Sequence, residues 1–256
     1  MKCFFYLVYY IGGWLQIIIY NQILLRILVL YITQDLIRRM RKHSLGHDLG
    51  SSFGGISGTA TVPGKMKIFG TIRHIIQSLG FKSYEFIDIG AGDGVMVSLA
   101  LCYGAKYSVG MEVKWTQESV FQRTFIPLIE SNEGKDCVKR VSIAYGKDVV
   151  TYSSLPTLQS VNESEPRVAF AFCDGFEEED RRYIFETLIR KDSLVRVLIC
   201  SGGRGKGDRY RKPDDILNAL NGGEMKGCGL FSFHSVIKVA MSGSSFRKTL
   251  FVFTRI

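Results

Sequence analysis

A strand-like run of apolar residues ends in closely spaced glycines and acids, in the stretch Phe86-Ile-Asp-Ile-Gly-Ala-Gly-Asp-Gly94. Glycines at the end of a strand let the backbone approach a ligand that lies across the carboxyl edge of the sheet, where no side chain fits. Asp88 is suited to accept hydrogen bonds from the loop, or to face the positively charged amino group of an amino-acid-like ligand. The residues expected to contact this ligand are Asp88, Gly90, Ala91, Gly92 and Gly94.

A further carboxylate, Glu112, stands near the end of the next predicted strand. It is placed to take both ribose hydroxyls of an adenosine group. The order of strand, glycine turn, helix, strand and carboxylate therefore predicts a ligand that contains adenosine. After the third predicted strand, Asp148 is a candidate to bind the exocyclic amine of adenine, and Val149 is a candidate apolar wall. The alternative is that this segment is an ordinary surface turn.

Two adenosine-containing ligands compete for such a turn. A dinucleotide places its pyrophosphate against a Gly-x-Gly-x-x-Gly turn and the N-terminus of the following helix. Here the glycines are spaced as Gly-x-Gly-x-Gly, and the carboxylates of Asp88 and Asp93 would repel a pyrophosphate. S-adenosylmethionine has no phosphate and carries a sulfonium and an amino group, so an acidic rim suits it. The sequence predicts S-adenosylmethionine as the cofactor and a methyltransferase as the enzyme.

The methyl acceptor is expected just after the fourth predicted strand, where the chain reads Phe172-Cys-Asp-Gly-Phe176. Methyl transfer from a sulfonium is an in-line displacement, so the enzyme must mainly hold an uncharged acceptor close, aligned and desolvated. Asp174 is the expected contact to substrate or cofactor, and Phe176 is the expected aromatic wall. The alternative is that Asp174 only caps the helix that begins near Glu177.

Residues 68–112 resemble the histone-lysine methyltransferases of the disruptor-of-telomeric-silencing type, a family with the class I methyltransferase fold. The glycine motif and Tyr-Ser-Val-Gly-Met-Glu carry the resemblance, and residues 167–176 and 241–249 extend it loosely. It implies a lysine acceptor on a histone or nucleosome. The chain departs from the family at Cys173-Asp-Gly175, and it has no clean counterpart of the family's Tyr-Gly-Glu-x-Thr-Pro loop. An RNA, lipid or small-molecule acceptor and a non-catalytic cofactor-binding module stay open as alternatives.

The elements that must position these residues alternate between strands and helices. Helical spacing predicts helices at 68–79, 95–103 and 177–190, and apolar runs predict strands at 84–89, 107–113, 138–144, 167–173, 194–200, 231–240 and 249–255. This alternation predicts an α/β fold, with an open, Rossmann-like, mostly parallel sheet, helices on both faces and an antiparallel C-terminal hairpin. The expected domain spans residues 68–256, after a Gly/Ser-rich loop at 43–67 and an apolar helix at 1–42.

The N-terminus is unusually apolar. Between residues 3 and 32 the only charged side chain is Arg26, and a run of this length can cross a bilayer, which takes about 20 apolar residues. The following basic cluster, Arg38, Arg39, Arg41 and Lys42, would keep the domain on the cytoplasmic side. Two interpretations stay open: a membrane anchor with a cytosolic domain, or a start at Met40 and a nuclear or cytoplasmic protein.

The formal net charge of +9 favours acidic partners. A glycine-rich loop after the fifth predicted strand is expected to contact nucleic-acid phosphates or an acidic protein surface, or else to be solvated without a partner. Its basic residues are Arg204, Lys206, Arg209, Arg211 and Lys212. The six cysteines show no metal-ligand spacing and are interpreted as reduced core thiols, and the four histidines form no metal or catalytic set.

Overall fold

A computed structural model describes residues 60–113, 118, 121–133, 135–157, 165–203, 207–222, 229–241 and 247–255. The predicted apolar helix at 1–42 and most of the predicted loop at 43–67 lie outside these residues. Within the described ranges, no helix combines the length and the apolar character that a membrane crossing requires.

The described residues form one seven-stranded sheet with the strand order β3-β2-β1-β4-β5-β7-β6. Strands β1 to β5 are parallel, and β7 runs antiparallel to both of its neighbours, β5 and β6. The predicted fold class, a mostly parallel Rossmann-like sheet with an antiparallel C-terminal pair, is confirmed. The strands are β1 (Tyr84–Ile89), β2 (Ala105–Glu112), β3 (Val141–Tyr145), β4 (Arg167–Ala171), β5 (Val195–Ser201), β6 (Phe231–Ala240) and β7 (Arg247–Arg255).

Helices cover both faces of this sheet. Successive strand residues point to opposite faces, so Phe86 of β1 packs into one apolar cluster and Ile87 packs into the other. Because both faces are covered, the parallel strands read as nearly continuous apolar runs. Within the described residues the α-helices are α1 (Val62–Ser78), α2 (Val95–Cys102), α3 (Ile126–Glu133), α4 (Lys135–Val138), α5 (Glu178–Tyr183) and α6 (Pro213–Asn221), with π-helical turns at Phe121–Phe125 and Ile184–Ile189.

Helix α1 begins before the predicted position. The sequence interpretation placed residues up to 67 in a loop, but the helix begins at Val62. Thr61 caps it, because its hydroxyl accepts a hydrogen bond from the amide of Gly64 at 3.3 Å, and a proline stands in the first turn, where a missing N–H costs nothing. An isolated bridge between Ala60 and Met241 ties this end of α1 to the segment after β6.

The order in which the chain adds strands to the sheet reverses at β1. From β1 the chain builds outward through β2 to β3, and it then returns to place β4 and β5 on the other side of β1. The carboxyl ends of β1 and β4 therefore flank a topological switch point, which is where open parallel sheets bind ligands. The loop after β1 carries Gly90, and the loop after β4 carries Asp174.

Candidate functional site

The glycine loop between β1 and α2 is fastened to the end of β2. The amides of Gly90 and Ala91 both donate to the carbonyl oxygen of Met111 at 2.9 Å. The amide of Gly92 donates to Oε2 of Glu112 at 2.7 Å. Glu112 therefore lies on the same side of the sheet as the glycine turn, as the sequence predicted, and it also contacts the turn directly.

Two glycines in this region are required by packing. A Cβ at Gly110 of β2 would lie 2.6 Å from the Cβ of Ala91, so only glycine lets the loop approach the strand this closely. Gly94 has a φ of 84°, and a Cβ there would lie 2.4 Å from Cδ2 of Phe121. The sequence interpretation was that Gly94 leaves room for a ligand. In the structure the side chain of Phe121 occupies the space beside the Cα atom of Gly94.

The outer part of the loop is open. A Cβ at Gly92 would meet no atom within 4 Å, and Gly90 is exposed except where the ring of Phe176 approaches it. A Cβ at Gly90 would lie 3.1 Å from Cζ of Phe176. Open backbone at Gly92, bounded by an aromatic ring at Gly90, is the kind of surface on which a flat or extended ligand can lie.

Buried acids surround the loop. Asp88 is almost completely buried at the end of β1. Burial, with smaller contributions from the charges of Glu112 and Asp93, raises the pKa of this carboxyl to about 8, although the charge of Lys65 opposes the rise. Asp88 is therefore mostly protonated at neutral pH, and a cation brought beside it would favour the ionised form.

Two residues near the loop were not predicted from the sequence. The hydroxyl of Tyr145, at the end of β3, donates to the carbonyl oxygen of Gly92 at 3.3 Å. Burial raises the pKa of this phenol, and the charges of Asp93 and Glu112 add to the rise. Lys65 is a buried lysine in the first turns of α1, a segment interpreted as loop. Tyr145 is the neighbour of Glu112 across the pair of strands β2 and β3. The alternation of larger side chains along β3 is the sequence signal that could have identified this tyrosine.

Asp148 and Val149 lie after β3, at the same edge of the sheet. Asp148 is exposed, and its carboxylate caps a short 3₁₀ turn by accepting a hydrogen bond from the amide of Val150 at 3.2 Å. Val149 is buried in the core on one face of the sheet. The turn interpretation thus describes the local structure, and an adenine contact by these two residues stays a prediction.

Asp174 and Phe176 follow β4, as expected, but Asp174 does not cap the next helix. Glu177 occupies the cap of α5 and forms a capping box with Asp180. Oδ1 of Asp174 lies 2.5 Å from Nζ of Lys248 and accepts a hydrogen bond from the hydroxyl of Ser201 at 3.1 Å. The capping alternative is therefore wrong, and Asp174 is part of an ion pair that joins the ends of β4, β5 and β7.

A buried arginine holds the loop after β4 in place. Arg181 of α5 donates from Nη1 to the carbonyl oxygen of Cys173 at 3.3 Å and to the carbonyl oxygen of Phe176. Its Nη2 is paired with Asp208 in the segment after β5. The side chain of Arg181 thus holds both the loop after β4 and the segment after β5. The sequence did not predict this role for Arg181.

The basic loop after β5 is described in part. Arg209, Arg211 and Lys212 are exposed, and Arg209 lies 3.9 Å from Glu186. Arg204 and Lys206 lie outside the described residues. Backbone atoms of Arg211 would contact a Cβ at Gly202, so this basic segment packs directly beside the end of β5.

No protein-family model matches the chain, and no curated protein sequence matches it. Among solved structures it is similar to the magnesium protoporphyrin IX methyltransferase of Synechocystis PCC 6803 with bound SAM, at 14% identity and a TM-score of 0.49 over 87% of this chain and 97% of that one. It is also similar to the N-methyltransferase NodS of Bradyrhizobium japonicum WM9, at 9% identity and a TM-score of 0.47 over 76% of this chain and 97% of that one.

A third similar structure is a putative RNA methyltransferase of Pyrococcus horikoshii, at 16% identity and a TM-score of 0.44 over 74% of this chain and 85% of that one. None of these three is a histone methyltransferase of the type that the glycine motif resembles. The seven-stranded sheet and its strand order define the fold of this chain.

Proposed function

We propose that this domain binds S-adenosylmethionine at the carboxyl edge of β1 and β2 and transfers its methyl group to an acceptor beside the loop after β4. The contact between Glu112 and the amide of Gly92, 2.7 Å long, is the observation that carries the proposal. It places a carboxylate of β2 next to an open glycine turn at the switch point of the sheet, where the ribose of an adenosyl group is expected.

The charges of the site favour a sulfonium cofactor over a dinucleotide. Asp88 and Glu112 are both buried beside the loop, and Asp93 lies close enough to raise the pKa of Asp88. A pyrophosphate at this loop would add two negative charges to a place that already disfavours the ionised form of Asp88. An ammonium group would instead be stabilised there.

Each residue then has a distinct task. Glu112 would hold the ribose hydroxyls, Asp88 the amino group, and the backbone at Gly90, Ala91 and Gly92 would form the surface under the cofactor. Asp148 and Val149 would border the adenine. When bound, the cofactor supplies an electrophilic methyl group, and the protein supplies alignment of the acceptor and exclusion of water.

The family resemblance also implies a specific acceptor, a histone lysine. This acceptor has less support from the site than the methyltransferase function itself. A carboxylate or a ring of carbonyl oxygens can align the amine of a lysine acceptor, and the carboxylate expected beside the acceptor, that of Asp174, is already paired with Lys248. A methyltransferase acting on a different acceptor is consistent with that pair. A cofactor-binding module without transferase activity remains the alternative to an enzyme.

A transfer assay separates these functions. The full chain is incubated with tritiated S-adenosylmethionine and, in parallel, with nucleosomes, RNA, a lipid extract and a small-molecule extract. Label in one of these fractions, reduced in Glu112→Gln, supports the proposal. Binding of the cofactor without label in any fraction would identify a binding module instead of an enzyme.

A further inference from the structure

A second polar cluster lies at the carboxyl edge of the sheet, outside the proposed cofactor contacts. It consists of Asp174 after β4, Ser201 at the end of β5 and Lys248 at the start of β7. Lys248 pairs with Asp174 at 2.5 Å, and the hydroxyl of Ser201 donates to the same carboxylate oxygen at 3.1 Å. Phe176, two residues after Asp174, reaches Gly90, so the cluster adjoins the cofactor loop.

Within this cluster the cation is the accessible member. The side chain of Asp174 is 2% exposed, whereas the side chain of Lys248 is 23% exposed. Ser201 is fully buried. A molecule arriving at this edge therefore meets the side chain of Lys248 before it meets the carboxylate of Asp174. Because an ammonium has three N–H donors and Asp174 takes up one direction, Lys248 can also donate toward the edge.

Two arginines lie near this cluster along the chain. Arg247 precedes Lys248 in β7 and is exposed, and the backbone of the exposed Arg211 lies beside Gly202, directly after Ser201. The other side of the switch point is acidic, with Asp88 and Glu112 at the loop after β1. The site thus has acids on the side where a cationic cofactor is proposed, and it has a partly exposed lysine on the side where the acceptor would lie.

We infer that the methyl acceptor is an anionic oxygen, a carboxylate on a molecule whose ring packs against Phe176, and that Lys248 positions it. The inference rests on the proposed methyltransferase function and specifies its acceptor. The buried Asp174 and Ser201 orient the ammonium of Lys248, and this ammonium holds the carboxylate of the acceptor. The acceptor carboxylate has no proton that a base would have to remove.

The chemistry balances without a general base. A carboxylate oxygen forms a bond to the methyl carbon as the carbon–sulfur bond breaks, and sulfur keeps the electron pair. One negative and one positive charge become a neutral methyl ester and a neutral thioether, and no proton moves. The sequence predicted an uncharged acceptor. An anionic oxygen can also accept the methyl group, because it has a free lone pair, whereas a protonated amine has none.

The test compares two ligands of nearly equal shape and opposite charge. Benzoate and benzylamine, which is a cation at neutral pH, are titrated into the full chain saturated with S-adenosylhomocysteine, and binding is followed by calorimetry. Benzoate is expected to bind at least about tenfold more tightly than benzylamine, as a charge-assisted hydrogen bond requires. Equal binding, tighter binding of benzylamine, or no binding of benzoate would overturn the inference.

Variants locate the effect at Lys248. Lys248→Gln should weaken benzoate binding about tenfold or more, and Lys238→Gln, on an exposed side chain of β6, should leave it unchanged. Lys248→Gln leaves Asp174 buried without its cation, so the double variant Asp174→Asn, Lys248→Gln is measured as well. Unchanged benzoate affinity in the double variant would contradict a role for Lys248.

The two proposals fail in different ways. If S-adenosylhomocysteine gives no heat of binding, the proposed function fails and the acceptor inference fails with it. If S-adenosylhomocysteine binds but benzoate shows no dependence on Lys248, only the acceptor inference fails. In the transfer assay a carboxylate acceptor also gives label that is released by mild base, whereas a methylated amine keeps it.

Discussion

Lowering the pH from about 7 to about 6 should weaken S-adenosylmethionine binding about tenfold, because Asp88 must lose its proton to face the ammonium of the cofactor. Burial and the charges of Glu112 and Asp93 raise the pKa of Asp88 to about 8, so below that pH the free protein holds the proton. Each step of one pH unit below the pKa then costs about 1.4 kcal/mol of binding free energy.

Calorimetry in two buffers with different ionisation enthalpies measures the protons released. At about pH 6.5 the α-amino group of the cofactor, with a reference pKa of roughly 7.7–8.0, stays protonated, so about one proton per bound cofactor should come from Asp88. Asp88→Asn has no such proton and serves as the control for other groups. Equal proton release in wild type and Asp88→Asn, or binding independent of pH below about 7, would refute the role of Asp88.

Three further outcomes test the packing around the site. Gly110→Ala should destabilise the fold by about 1–3 kcal/mol and weaken cofactor binding, since its Cβ would press on Ala91, whereas Gly70→Ala on an open face of α1 should not lower the melting temperature. Arg181→Met should cost about 3 kcal/mol, read as a drop of roughly 10 °C in melting temperature, against little change for the exposed Arg182→Ala. The buried Cys200 thiol, whose pKa burial raises, should resist iodoacetamide in the native protein and react after denaturation, as mass spectrometry will show. Similar melting temperatures within either variant pair, or rapid native alkylation of Cys200, would contradict these expectations.

The parts of the fold that the sequence predicted well are encoded locally. Strand β1 has the predicted bounds, because a short apolar run stops at a glycine that no strand interior favours. The position of Glu112 at the same edge of the sheet as the glycine loop was also predicted, because a strand, a helix and a parallel strand form one connected unit with a fixed hand. Strand β6 was likewise predicted with its observed bounds.

The parts that were missed depend on residues far apart in the chain. Lys248 meets Asp174 only because β7 inserts between β5 and β6, an order that periodicity along the chain does not specify. Arg181 lies on the exposed-looking start of a helix rich in charges, and its burial follows from the approach of the segment at Asp208. The early start of α1 depends on a threonine cap that the surrounding glycines and serines concealed.

Titration of S-adenosylmethionine into the purified chain, with Glu112→Ala and the exposed-site control Glu130→Ala, is the most direct measurement of the proposed cofactor site. Wild type and Glu130→Ala should bind with the same affinity, and Glu112→Ala should bind roughly 10- to 100-fold more weakly, as the loss of a charge-assisted hydrogen bond to the ribose requires. No heat of binding in the wild type at about millimolar cofactor, or equal affinity in Glu112→Ala, would contradict the proposal.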